Sequence, residues 1–223
     1  MKTVILNSNT VFKDMKYKRW KQRIEANGNI IKDIELLSGI SRDGINLFAA
    51  FLDCRLLTPE GNEIPRCVVI GGDSVVIVPV LTCYEDREIY TMMVEQRRIV
   101  DGDFNKEFPA GSTVNEEDPK TIACQELKEE LHLNVSPEEL IPLTTDLVKM
   151  NPSVLDARVH FFYFERQVSR SFLEEMDGCH TGCFKDHEYI HVRVHKMAEV
   201  ANILTPSAII GVKLVEQALN RVF

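Results

Sequence analysis

The chain has no long apolar run. Nothing in its 223 residues approaches the roughly 18 consecutive apolar side chains that a membrane-crossing helix needs. The opening MKTVILNSNTVFKD has only a short apolar patch before polar residues, not a secretory core, so a soluble, unexported protein is expected. A Lys/Arg-rich run is also missing, and 34 acidic against 26 basic residues leave a formal charge of −8. Such a surface repels a polyphosphate backbone, which excludes nucleic acid as the expected partner. Cysteine is sparse: six residues, at 54, 67, 83, 124, 179 and 183, are too scattered for a disulfide scaffold. Reduced thiols and a cytoplasmic setting follow as expectations. Internal repeats and low-complexity tracts are absent too.

What is present suffices for one substantial core, since 44% of the residues are hydrophobic. The expected division is an N-terminal extension of a short helix and strands over residues 1–70, then a main domain over 71–223. A basic helix is predicted at 17–25, and a buried strand at 45–57 is followed by a turn and a second strand. The β-branched run at 75–81 suits a strand buried on both faces, and 89–94 is its return, predicting a hairpin over 75–97 that ends on Arg97 and Arg98. Asp118 and Pro119 mark the cap and first residue of a helix running to about Leu131. Strands are predicted at 159–164 and 189–194, with a polar insertion between them. A closing helix after Pro206 carries Ile209, Val212, Val215, Leu219 and Val222 at helical spacing.

Chemistry concentrates on the central helix. Glu126, Glu129 and Glu130 are three and four residues apart, so their carboxylates share one face. Ala123, Leu127 and Leu131 form the neighbouring stripe that holds the helix to a sheet. Glutamate triplets are ordinarily a solvated acidic face. Here, however, the tight loop Glu107-Phe108-Pro109-Ala110-Gly111 comes just before, with Pro and Gly exposing backbone carbonyls. Grouped oxygen ligands of this kind suit Mg²⁺ or Mn²⁺. By contrast, Cys179, His180, Cys183 and His187 lack the spacing of a zinc site, and His187, His191 and His195 recur as one hydrated face of a strand.

Gly111, five residues, Glu117, seven residues, then Gln125-Glu126-Leu127-Lys128-Glu129-Glu130-Leu131-His132-Leu133 closely resembles the signature of the Nudix hydrolases, without a gap. Two positions depart from it: Gln125 stands where the family has Arg, and His132 where it has Gly. His132 must therefore take up the geometry of a helix-ending glycine, the left-handed region included. Val94-Glu95-Gln96-Arg97-Arg98 and the loop 107–111 resemble the ADP-ribose and ADP-sugar pyrophosphatase branch, and 186–192 with the closing helix resembles its plant-type ADP-sugar diphosphatases. The similarity spans about 45–220 and is strongest at 94–133.

The resemblance implies an α/β fold, the Nudix α/β/α sandwich with a mixed sheet, here with a small β-rich N-terminal extension. It implies metal on Glu126, Glu129, Glu130 and the carbonyl of Ala110, with Glu188 as the water-activating base. Arg98 is implied as the phosphate-binding arginine, with Arg97, Glu107, Gly111 and Trp20 also at the substrate. The implied reaction is Mg²⁺-dependent hydrolysis of a nucleoside diphosphate sugar, by a homodimer whose N-terminal segments complete the partner's pocket. Two alternatives stand beside it: a non-catalytic nucleotide-binding module, which Gln125 and His132 favour, and a Nudix hydrolase acting on another nucleoside diphosphate derivative.

Overall fold

The computed structural model describes residues 3–100, 102–113, 117–183 and 188–223. The chain divides into two compact units, one of residues 1–73 with 149–158 and one of 74–148 with 159–223.

In the first unit β1 (Val4–Ile5), α1 (Ser8–Val11) and α2 (Met15–Ala26) precede three long strands, β2 (Ile30–Ser41), β3 (Ala49–Leu57) and β4 (Glu63–Ile70). The four strands form an antiparallel sheet in chain order. Asp14 caps α2 by accepting from the Lys16 N–H at 2.8 Å, and Tyr17 and Trp20 turn inward onto Leu52, Cys54 and Ile70. The strand predicted over 45–57 begins only at Ala49, because Asp43 accepts from the backbone N–H groups of Ile45 and Asn46 and holds them in a turn.

The second unit is built on β5 (Ser74–Cys83), β6 (Ile89–Arg97), β7 (Phe104–Glu107), β8 (Ala110–Ser112), α3 (Pro119–Leu131), β9 (Ile141–Pro142), β10 (Val148–Lys149), β11 (Arg158–Val168), α4 (Arg170–Met176), β12 (His180–Thr181), β13 (Ile190–Lys196), α5 (Met197–Val200) and α6 (Pro206–Leu219). The sheet runs β10-β11-β5-β6-β13-β12 and is mixed, since β11 pairs parallel to β5 while β13 pairs antiparallel to β6. Residues 75–81 are buried throughout, as their β-branched run predicts.

One face of β5, with Val75, Ile77 and Leu81, packs under Ile122, Ala123, Leu127 and Leu131 of α3. Toward the other face, Val78 and the Phe108 ring lie against α6 at Gly211, where a Cβ would come within 2.7 Å of the ring. Helices thus cover both faces of the sheet, which is the α/β/α sandwich. The hairpin of β5 and β6 is shorter than expected, the polar insertion holds a helix, and the inward stripe of α6 differs from the expected one. β5 and β6 pair only at Leu81–Tyr90 and Thr82–Ile89, after which β8 takes the edge of β5 and β7 and β13 take β6. The polar insertion contains α4, whose cap Ser169 accepts from the Phe172 N–H at 3.1 Å. On α6 the inward stripe is Ala208, Gly211, Val212 and Val215, with Ile209 48% and Val222 82% exposed.

Candidate metal and phosphate site

α3 spans Pro119–Leu131 behind Asp118, as the Asp-Pro signal predicts. Asp118 caps through its backbone, its carbonyl accepting from Thr121 at 2.9 Å, and its side chain makes no capping bond. At the other end His132 sits at φ 53°, ψ 25°, the left-handed geometry expected for a residue in a glycine position. His132→Gly is therefore expected to stabilise the fold by about 1 kcal/mol and to raise the thermal midpoint by about 2–4 °C. An unchanged or lower midpoint would show that the left-handed histidine is not strained.

Burying the apolar stripe of α3 aims its acidic face along the sheet. Glu130 is only 5% exposed, Glu126 is half-buried and Glu129 is exposed. Glu130 Oε2 accepts the Ala110 N–H at 3.0 Å, which fixes β8 beside the helix. Gly111 meets Glu126 so closely that a Cβ there would lie 1.8 Å from Glu126 Oε1. Burial, then Glu129 and Glu188, pushes the Glu126 carboxyl up to about 7. Burial, then Glu126, raises the Glu130 carboxyl well above the usual carboxylate range, against the opposing pull of the Ala110 bond and Arg98. These shifts mark carboxylates brought together without enough positive charge between them.

Arg98 is the cation that bears on this group. Its Nε and one Nη donate to the two oxygens of Glu107 at 2.9 and 2.6 Å, and Glu107, Glu130 and Glu188 all favour its charge. Arg97 is held elsewhere: it stacks over the Phe104 ring, 4.3 Å from its centroid, and donates to the Gly102 carbonyl. Trp20 belongs to the first unit, where it is 6% exposed and packs on Tyr17. Asp186 and His187 lie outside the described residues. His191, expected on a hydrated face, is half-buried with its ring 4.2 Å from that of His180.

Two contributors carry no motif. The Thr181 hydroxyl, on a 1% exposed residue, donates to the Glu130 carbonyl at 2.6 Å, and the Gly182 N–H donates to the Glu129 carbonyl at 3.2 Å. They satisfy carbonyls that the end of a helix leaves without partners. They also tie α3 to the loop that carries Glu188, whose N–H donates to the Cys183 carbonyl at 3.1 Å. Thr181→Val is expected to destabilise the fold by about 1–3 kcal/mol and to weaken Mn²⁺ binding about ten-fold. Thr181→Ser should restore both. Denaturant unfolding and a Mn²⁺ titration test this, and equal behaviour of the Val and Ser variants would contradict it.

Among the described residues no three His, Cys, Asp or Glu side chains close on a single point. Glu126 and Glu130 instead flank the Ala110–Gly111 backbone, with Glu129 and Glu188 more exposed. The donors fit a hard cation: all are oxygens, and their mutual repulsion is what a divalent ion relieves.

No family model matches the chain. By sequence it is similar to Nudix hydrolase 14, chloroplastic, of Arabidopsis thaliana, with 25% identity over 193 residues that cover 80% of this chain and 62% of that protein. The chain thus spans 62% of the length of the curated relative it matches. Among solved structures it is similar to a crystal structure of ADP compounds hydrolase, with a TM-score of 0.60 and 16% identity, covering 86% of this chain and 94% of that one. At that identity the likeness concerns the fold, and it is the mixed α/β fold implied by the Nudix resemblance. The sequence likeness is thus to a member of the family that the helix signature resembles. Among the described residues no helix is long and apolar enough to cross a membrane.

Proposed function

We propose that this chain is a Nudix hydrolase that cuts the pyrophosphate linkage of a nucleoside diphosphate sugar of the ADP-glucose or ADP-ribose type, using Mg²⁺ or Mn²⁺. The products would be a nucleoside monophosphate and a sugar phosphate. One observation carries the reading: burial, with Glu129 and Glu188, raises the Glu126 carboxyl, and burial, with Glu126 and Glu188, raises that of Glu130, around a glycine-lined strand and beside an arginine locked by a glutamate. A divalent cation held by Glu126, Glu129, Glu130 and the Ala110 carbonyl would neutralise phosphoryl oxygens and acidify a bound water.

The protein groups then divide the remaining work. Arg98, held by the two bonds it donates to Glu107, presents a fixed cationic edge to a phosphate and forgoes the entropy of a free side chain. Glu188, exposed and in electrostatic reach of Glu126 and Glu130, accepts the proton of the attacking water. Gly111 leaves the space that Glu126 occupies. Arg97 and Trp20 complete the substrate's surroundings only as the resemblance implies, as do a homodimer and a cytoplasmic location.

The test is release of nucleoside monophosphate from ADP-glucose, ADP-ribose and UDP-glucose, with Mg²⁺ or with EDTA. EDTA-sensitive release, faster from the ADP sugars, is expected. Nucleotide binding without release from any of them would identify a non-catalytic module.

A further inference from the structure

We infer that the first unit carries its own binding pocket for a small flat organic anion: a single aromatic or purine ring bearing one phosphate or carboxylate. A cavity of 360 Å³ lies among α2, β3, β4 and the segment 149–158, all within that unit. This is near the lower end of the roughly 300–1,000 Å³ of small-molecule sites, so it suits one ring system rather than a whole nucleotide sugar.

Its apolar wall is formed by Trp20, Ile24, Leu56, Val68 and Leu155, and the cations Arg66, Lys149 and Arg158 also line it. The carboxylate in the wall, Asp156, is fully engaged. Its Oδ1 accepts the N–H groups of Gly71 and Gly72 at 2.8 and 3.2 Å, and its Oδ2 accepts from Arg23 at 2.9 Å. Arg23 is also used up, because its other terminal nitrogen donates to Asp73 at 3.1 Å.

The three lining cations are in a different state. Among the described residues none of Arg66, Lys149 and Arg158 joins an ion pair, and Arg66 donates to the Pro65 carbonyl instead. In a chain of net charge −8, three cations without carboxylate partners around an apolar floor select an anion with an apolar body. Of the residues given to the hydrolase reading, Trp20 alone lines this cavity and then only as the resemblance implies; none of Glu126, Glu129, Glu130, Glu188 or Arg98 does, so the inference does not rest on the hydrolase reading.

Trp20 is the sole tryptophan of the chain, so its fluorescence reports directly on the pocket. The full chain would be titrated with phenyl phosphate, phenylacetate, adenosine monophosphate and uncharged benzyl alcohol. Expected is a saturable change with the anions at concentrations at least about ten-fold below those needed for benzyl alcohol. Because Lys149 is exposed, Lys149→Glu tests the charge without disturbing the core; it should weaken the anions about ten-fold, leave benzyl alcohol unchanged and be rescued by Lys149→Arg. Adenosine monophosphate ahead of phenyl phosphate would identify a nucleotide, and phenylacetate ahead of both an aryl carboxylate. The inference is overturned if no probe gives a saturable change, if benzyl alcohol equals the anions, or if Lys149→Glu leaves anion binding unaltered.

Discussion

Glu130→Gln is expected to move stability and turnover in opposite directions. Glu130 is 5% exposed and faces Glu126 and Glu188, so its charged form is disfavoured in the metal-free fold. A carboxyl raised in the folded state lends stability below its ordinary range, and loses it as pH rises through the raised value. At pH 8 the metal-free wild type therefore bears a cost at this site that is absent at low pH. Gln has the same shape, can still accept the Ala110 N–H and carries no charge, so the metal-free variant should unfold at a higher temperature than wild type. Turnover should fall about 10²–10³-fold, because an anionic donor to the cation is gone. Parallel losses of stability and activity would instead make Glu130 an ordinary structural residue.

Gly111→Ala is the second large effect, and it separates position from charge. The Gly111 backbone lies outside the left-handed region, so alanine meets no conformational penalty of its own. Its methyl, however, would stand 1.8, 2.2 and 2.5 Å from Oε1, Cδ and Cγ of Glu126. The side chain that must yield is the carboxylate. The fold should survive while activity drops about 100-fold, the loss typical of roughly 1 Å of misplacement at a reacting centre. Gly71→Ala, which meets open space, is the control. Comparable kinetics for the two variants would show that the approach of Glu126 to Gly111 has no functional weight.

The elements that could be read from the residues are those whose signals are local. Pro119 and the glycine-like position of His132 bracket α3 correctly, and unbroken β-branching marks β5 as buried on both faces. The carboxylates follow from spacing alone, because three- and four-residue intervals on a helix need no tertiary information. What escaped the reading depends on distance in the chain. Thr181 acts on Glu130 across 51 residues, and nothing in the local sequence at 179–183 announces that bond. The hairpin of β5 and β6 pairs only at Leu81–Tyr90 and Thr82–Ile89, because β8, three residues long, takes Ser74 to Val76 of β5 while β7 takes Val94 to Arg97 of β6. The helix α4 carried a readable signal, a serine cap, hidden in a stretch whose polarity resembles a loop. Arg97 and Arg98 are neighbours that look equivalent, and only packing separates them, one toward Phe104 and the other toward Glu107.

If the carboxylates of α3 hold a divalent cation, the thermal midpoint of wild type and Glu130→Gln between pH 5.5 and 8.5, with and without Mn²⁺, will register it. Since burial pushes the Glu126 carboxyl up to about 7 and raises Glu130 as well, the cation-free wild type should lose stability as pH rises through that region. Mn²⁺ should restore it increasingly toward high pH, and should do so far less in the Gln variant. A Mn²⁺ effect that is absent, independent of pH, or equal in both proteins would contradict a metal site on this helix.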